Sequence, residues 1–186
     1  MLIRFHTIKG LGTLTDEVWR PWQDWFVDVE ESHTSFAGLP FFRSPKADRS
    51  WITAAGVVLD AASIYASTLD VPRSPPAELC IRSGYLCLRA IADFYSIPYA
   101  TEPSPSDPIA VSREEYDEIY DRLAAAGLPL QADRDQAWRD FAGWRVNYDT
   151  VLIVLAGLVM APYAPWISDR SPAGRFRLPV LRRRRR

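Results

Sequence analysis

The sequence predicts an all-α protein, with a single bundle of about five helices in residues 1–168 and a basic, unstructured C-terminal tail in residues 169–186. Apolar residues recur at spacings of three and four, the period of a helix with one buried face. No sustained two-residue alternation between hairpin turns indicates strands. With 186 residues, of which 48% are hydrophobic, the chain has the size and composition of one folded domain.

The first predicted helix spans about residues 16–33. Its apolar side chains recur at spacings of four, three and four residues: Val18, Trp22, Trp25 and Val29. Pro21 is tolerated only in the first turn of a helix, so the regular part should begin at Arg20 or Pro21. Tryptophans at this spacing are more typical of a core or an interface than of a ligand pocket.

The second and third helices follow a loop over residues 37–49, which is rich in Pro and Gly. Ser50 is a candidate cap for a helix over about 51–67, and this segment is apolar on nearly every face. We therefore expect it to form the centre of the bundle. Ser74 followed by proline is a start signal for a third helix, which should continue to about Tyr95.

A second loop and two more helices complete the predicted bundle. Residues 96–111 contain four prolines among Ser, Thr and acidic residues, so they should be irregular. The sequence from Ser112 to Glu115 is a capping box that starts the fourth helix, and Gly127-Leu-Pro129 is a stop signal. The fifth helix should run from about 133 to 161.

Two apolar segments are candidates for membrane spans. The run that starts at Val151 has 11 residues before Pro162, whereas a span needs about 20. The second helix carries Asp60 at its middle, which costs about 2.5–3.5 kcal/mol on insertion into a bilayer. We therefore expect both segments to be core helices of a protein that is soluble without detergent.

The charge distribution separates the tail from the rest of the chain. Residues 1–168 hold 14 Lys and Arg against 22 Asp and Glu, a balance of −8, whereas residues 169–186 hold 8 Arg against one Asp, a balance of +7. A solvated tail is the first expectation for such a run of like charges. Contact with an anionic lipid surface comes next, through Arg182, Arg183, Arg184, Arg185 and Arg186. Contact with nucleic acid comes last, because the body is acidic.

The residues that carry chemistry are few, and they predict no enzyme and no cofactor. Cys80 and Cys87 are seven residues apart in one predicted helix, too far apart for a disulfide, so they should be buried free thiols of a reducing compartment. No signal peptide is apparent. The chain has only two histidines, which gives no metal-ligand spacing, and neither a nucleophile elbow nor a phosphate-binding loop occurs.

Three short motifs support a family resemblance. Glu31-Ser32-His33 ends the first helix, Phe42-Arg43-Ser44 follows in the loop, and Ser50-Trp51 opens the helix that continues to Leu59-Asp60-Ala61. In this order they resemble the cytosolic region that follows the pore in bacterial two-transmembrane potassium-channel-like proteins. Gly127-Leu-Pro129 and the segment 160–167 are also similar to that region, so the resemblance covers about residues 17–168.

The resemblance implies a non-enzymatic domain of an ion-transport protein that regulates or assembles it, located in the cytoplasm or at the inner face of the membrane. Its partners would be a channel pore segment or a second copy of the chain. No pore helix, filter sequence or pair of flanking spans is present, so the chain cannot conduct ions by itself. The alternative is a stand-alone helical protein that binds a small molecule in an aromatic pocket.

A polar cluster near the first loop follows from the motifs. We predict that it is structural and comprises eight residues: Glu31, Ser32, His33, Arg43, Ser44, Ser50, Trp51 and Asp60. Asp60 lies in an apolar helix, so its burial requires a partner. Arg43 and His33 are the first choices, with Arg82 and Arg89 as alternatives. A catalytic acid or a solvent-facing residue is the less favoured role for Asp60.

Overall fold

The computed structural model describes residues 1–42, 44–46 and 48–170. This part of the chain is all-helical and forms one compact unit, as predicted. The α-helices are α1 (Leu2–Ile8), α2 (Arg20–Ser35), α3 (Trp51–Thr68), α4 (Pro75–Phe94), α5 (Arg113–Ala125), α6 (Arg134–Arg145) and α7 (Asp149–Leu158). Three short helical turns join them: Leu11–Thr13, the π-helical Thr15–Trp19 and Leu39–Phe41.

Helix α3 is the centre of the bundle, as its apolar sequence predicts. Of its 18 residues, 14 are buried, and it packs against α4, α6 and α7. Helix α2 packs on α4 at the side of α3. At Gly84 of α4, a Cβ atom would lie 2.5 Å from Leu59 of α3 and 2.8 Å from Phe26 of α2. The absence of a side chain at Gly84 therefore permits this packing.

The helix starts were predicted correctly at three positions, although the capping chemistry differs. Ser50 and Ser74 precede α3 and α4, yet neither side chain makes a capping hydrogen bond. Ser112 forms the predicted capping box, in which its hydroxyl accepts from the backbone N–H of Glu115 at 3.2 Å. Regular α-helix begins at Arg20, near the start of the first predicted segment, as the position of Pro21 predicts.

Two features of the helix order differ from the prediction. Helix α1 was not predicted, because seven residues are too short for a periodic signal. The predicted helix 133–161 is split into α6 and α7 by a turn at Val146–Tyr148. Asn147 accounts for the break, because its side-chain amide donates to the carbonyls of Gly143 and Trp144 at 3.0 and 3.2 Å and competes with the helical ladder.

Among the described residues, no helix has the length and apolarity needed to cross a membrane. The predicted tail begins at residue 169, but Arg170 lies against the bundle, where it pairs with Glu115 at 2.8 Å and donates to the carbonyl of Ala110 at 2.7 Å. Residues 171–186, which include the five arginines 182–186, lie outside the described residues. Cys80 and Cys87 are both free and buried, as predicted.

Candidate functional site

A buried charged network joins α3, α6 and α7 at the centre of the bundle. Arg145, the last residue of α6, has no exposed surface, and it donates hydrogen bonds from Nη1 to Asp60 Oδ1 and from Nε to Asp149 Oδ1, the latter at 2.9 Å. Its third donor, Nη2, bonds to the carbonyl of Trp166 at 2.5 Å. One guanidinium therefore bridges two buried carboxylates and the C-terminal segment.

Two further groups donate hydrogen bonds to the carboxylates. The hydroxyl of Tyr148 donates to Asp60 Oδ1 at 2.9 Å and lies 2.9 Å from the hydroxyl of Ser63. Asp149 Oδ2 accepts from the backbone N–H of Ala110 at 2.9 Å, which ties the loop before α5 to the network. Burial raises the pKa of Asp60, whereas the charge of Arg145 opposes that rise.

The prediction that Asp60 is buried and paired is confirmed, but the expected partner is corrected. Asp60 is 7% exposed and pairs with Arg145; it makes no hydrogen bond to His33. Arg43, the other first choice, lies outside the described residues. The alternative Arg89 binds the carbonyl of Asn147 at 3.1 Å. The helical rise explains the difference, because Asp60 lies nine residues, about 13.5 Å, along α3 from Trp51 and the first loop.

Part of the predicted polar cluster does come together around His33 and Trp51. The two rings meet edge to face with their centroids 4.6 Å apart, and Trp51 Nε1 donates to the carbonyl of Pro40 at 3.0 Å. Ser32 Oγ lies 3.0 Å from His33 Nδ1. These contacts hold the end of α2 and the following turn against the start of α3.

The remaining residues of the predicted cluster have more peripheral roles. Ser44 Oγ accepts from the backbone N–H of Lys46 at 3.2 Å. The carbonyl of Ser50 accepts from Thr53 Oγ1 at 3.0 Å. Glu31 is exposed on α2. None of these three side chains contacts Asp60 through a hydrogen bond among the described residues.

The Ser32–His33 contact resembles the first half of a catalytic pair, but its surroundings do not complete it. The second ring nitrogen, His33 Nε2, is buried and has no hydrogen-bond partner within the described ranges. A catalytic base requires an orienting group on that nitrogen. Burial also lowers the pKa of His33. The geometry therefore supports a neutral, structural histidine.

An exposed aromatic patch is the surface feature that the sequence did not predict. It comprises Phe36, Phe41, Phe42, Phe94 and Tyr95. Phe42 is 71% exposed and Phe36 is 61% exposed. Both rings flank Gly38, where a Cβ atom would lie 3.3 Å from Phe36 and 3.9 Å from Phe42. The rings of Phe41 and Phe94 each pack edge to face on Tyr95, with centroids 5.9 and 5.1 Å away.

A cavity of about 310 Å³ adjoins the aromatic patch and is lined by Phe41, Phe42, Lys46, Arg49 and Trp51, among others. Lys46 and Arg49 make no side-chain ion pair with a described residue. The patch is therefore flanked by two cations whose charges are free to meet an anionic surface.

Metal chemistry has no support in this part of the chain: among the described residues, no group of three His, Cys, Asp or Glu side chains could hold a metal ion. Comparison of the sequence and structure with protein families, curated proteins and solved structures gives no match. The resemblance to the channel-like cytosolic region therefore stays a prediction.

Proposed function

We propose that this chain is a non-enzymatic domain that binds an anionic membrane surface through the aromatic patch. Such a domain would regulate or assemble an ion-transport protein at the inner face of the membrane, as the resemblance implies. The exposed aromatic patch is the observation that supports the proposal. A contiguous exposed apolar patch is typical of an interaction site, whereas single exposed apolar residues are normal on a surface that has no partner.

The chemistry of the patch favours a lipid surface. Aromatic rings on a basic surface are typical of proteins that lie in the membrane interface, where apolar groups enter the acyl boundary and cations meet lipid headgroups. Lys46 and Arg49 flank the rings, and Asp48 between them leaves an excess of one positive charge. The arginines of the tail add to this attraction, each by about 1 kcal/mol near an anionic surface.

The membrane proposal is tested by co-sedimentation with vesicles of phosphatidylcholine, alone or mixed with phosphatidylglycerol. The double variant Phe36→Ser/Phe42→Ser should bind mixed vesicles at least about tenfold more weakly, because each buried Phe contributes about 1.5–3 kcal/mol. The matched control is Val27→Ser/Leu79→Ser, which removes two side chains that are 60% and 51% exposed outside the patch. The control should bind as the original chain does.

Equal binding by the two double variants would contradict the proposal. Sedimentation equilibrium without vesicles separates the other occupant: a dimer that the Phe36→Ser/Phe42→Ser variant loses would identify a second copy of the chain as the partner. Transfer of residues 1–168 into the integral membrane pellet would contradict the expectation of solubility.

The tail is tested with a chain that ends at Pro179. At low salt this chain should bind mixed vesicles more weakly than the full chain, and the difference should shrink as ionic strength rises, because the screening length is about 10 Å at 0.1 M salt. Binding through the aromatic patch should persist at high salt, since it depends on apolar burial. Equal binding by both chains at low salt would remove the tail from the proposal.

A further inference from the structure

A second cleft, about 220 Å³ in volume, adjoins the network at Asp60 and shares no lining residue with the cavity beside the aromatic patch. One wall is a face of α3 formed by Val57, Asp60, Ala61 and Ile64, whose spacing of three and four places them together. Helices α1 and α5 form the other wall, and Ile167 contributes from the C-terminal segment. Apart from Asp60, Arg122 and the N-terminal amine of Met1, the side chains that line this cleft are apolar.

Asp60 presents an unsatisfied oxygen in this cleft. Its Oδ1 accepts hydrogen bonds from both Arg145 and Tyr148. No described residue donates a hydrogen bond to Oδ2, although the residue as a whole is only 7% exposed. The Asp60 side chain keeps 11% of its surface exposed. The carboxylate oxygen that a molecule in the cleft can reach is therefore Oδ2.

The charges around Asp60 decide which ligand suits this oxygen. Arg145 is shared between Asp60 and Asp149, so the buried network holds two carboxylates for one guanidinium. A cation placed at Oδ2 would balance the second carboxylate, whereas an anion would add to it. Two groups that can carry a positive charge also line the cleft, Arg122 and the N-terminal amine of Met1. Arg122 is exposed, so water and salt screen its charge. Burial and the charge of Arg122 lower the pKa of the Met1 ammonium from 8.0, so at about pH 8 this amine is mostly neutral.

We propose that this cleft binds a small primary ammonium compound with an aliphatic body, whose cation donates a hydrogen bond to Asp60 Oδ2. The aliphatic walls cover the body of the ligand, and the carboxylate fixes its orientation. At about 30 Å³ for each water-sized group, a cleft of this volume holds about seven non-hydrogen atoms. The inference does not rest on the proposed membrane function.

The probe for the test is cyclohexylammonium, which has the size that the cleft accommodates, and the comparison is cyclohexanol, its neutral counterpart. Binding is followed by amide chemical shifts at about pH 8, where the amine keeps its proton. Cyclohexylammonium should shift the amides of Val57, Ala61 and Ile64 and should bind at least about tenfold more tightly than cyclohexanol, because a charge-assisted hydrogen bond is the stronger one. Equal affinity of the two probes would overturn the proposal.

Two variants locate the site. Asp60→Asn removes the charge and should weaken cyclohexylammonium binding about tenfold or more, while binding of cyclohexanol changes little. If Asp60→Asn fails to fold, Val57→Trp decides: Val57 is 49% exposed at the mouth of the cleft, so a large ring there blocks entry without touching the network. Its matched control is Val27→Trp on α2, at a position 60% exposed. Unchanged binding by the folded Val57→Trp variant would overturn the proposal, as would an equal loss in the control.

Discussion

Replacement of Arg145 by methionine is the most severe test of how the bundle is held together. The substitution keeps an unbranched side chain of similar length but removes the charge that Asp60 and Asp149 share. Breaking a buried ion pair from one side typically costs about 3–5 kcal/mol, because a carboxylate remains buried without a partner. Two carboxylates and the carbonyl of Trp166 lose their donor here, so we expect a loss near the upper end, about 5 kcal/mol.

The assay is urea unfolding followed by circular dichroism. Domains of this kind are stable by about 5–15 kcal/mol, so Arg145→Met should lower the unfolding midpoint strongly or prevent folding. The matched control is Arg139→Met on the same helix, where the side chain is exposed and bonds to Gln136 at 2.7 Å. A surface change of this type should alter the free energy of unfolding by no more than about 0.5 kcal/mol.

Two outcomes would refute this reasoning. The first is a loss below about 1 kcal/mol for Arg145→Met, which would mean that the carboxylates are solvated in the folded chain. The second concerns the combination with Asp60→Asn and Asp149→Asn, which should recover at least about 2 kcal/mol because the neutral amides carry no buried charge. No recovery would show that packing, and not charge, causes the loss.

The pH dependence of Arg145→Met follows from the same argument. Without the cation, burial should raise the pKa of Asp60 further above its unfolded value of 3.8. The folded variant would then bind more protons than the unfolded chain between that value and the raised pKa. Its free energy of unfolding should therefore increase as the pH falls through this window.

The remaining predictions concern single sites. Gly84→Ala should cost about 1–3 kcal/mol because the new methyl group has no room between α2 and α3; Gly157→Ala, at a helical position with open space, should instead stabilise by up to about 1 kcal/mol, and thermal unfolding compares the two. Burial raises the pKa of Cys80 and Cys87 to about 12 from 9.0, so a thiol-reactive disulfide should label them only after unfolding. Because the unfolded thiols release protons first, the free energy of unfolding should fall as the pH rises above about 9, and alkaline urea titrations check this sign. Ser112→Ala should cost about 1 kcal/mol by loss of the capping box, measured in the same way.

Local signals explain what could be predicted from the sequence. The capping box at Ser112, the apolar faces of α3 and the position of Pro21 depend on neighbours within one helical turn, so a single sequence contains them. The need for a partner at Asp60 was also evident, because a carboxylate in an apolar helix cannot remain unpaired.

Interactions distant in sequence explain what could not be predicted. Arg145 is 85 residues from Asp60, and the motifs near the first loop did not indicate this partner. One local signal was present: Arg145 and Asp149 are four residues apart at the start of an apolar run, which is the spacing of a helical ion pair. The aromatic patch could not be predicted either, because the sequence around Phe36 and Phe42 does not show whether their rings are buried or exposed.

Helix α3 connects the two proposed sites physically. Its first residue, Trp51, lines the cavity of about 310 Å³ beside the aromatic patch. Asp60 lines the second cleft, about 13.5 Å further along the helix axis. A buried helix transmits a shift of one end to the other because a packed core is not continuously deformable. If cyclohexylammonium and mixed vesicles bind the same chain, each should change the affinity for the other by the same factor. A factor different from one, measured in both directions, would demonstrate coupling between the two sites, and a factor of one would show that they act independently.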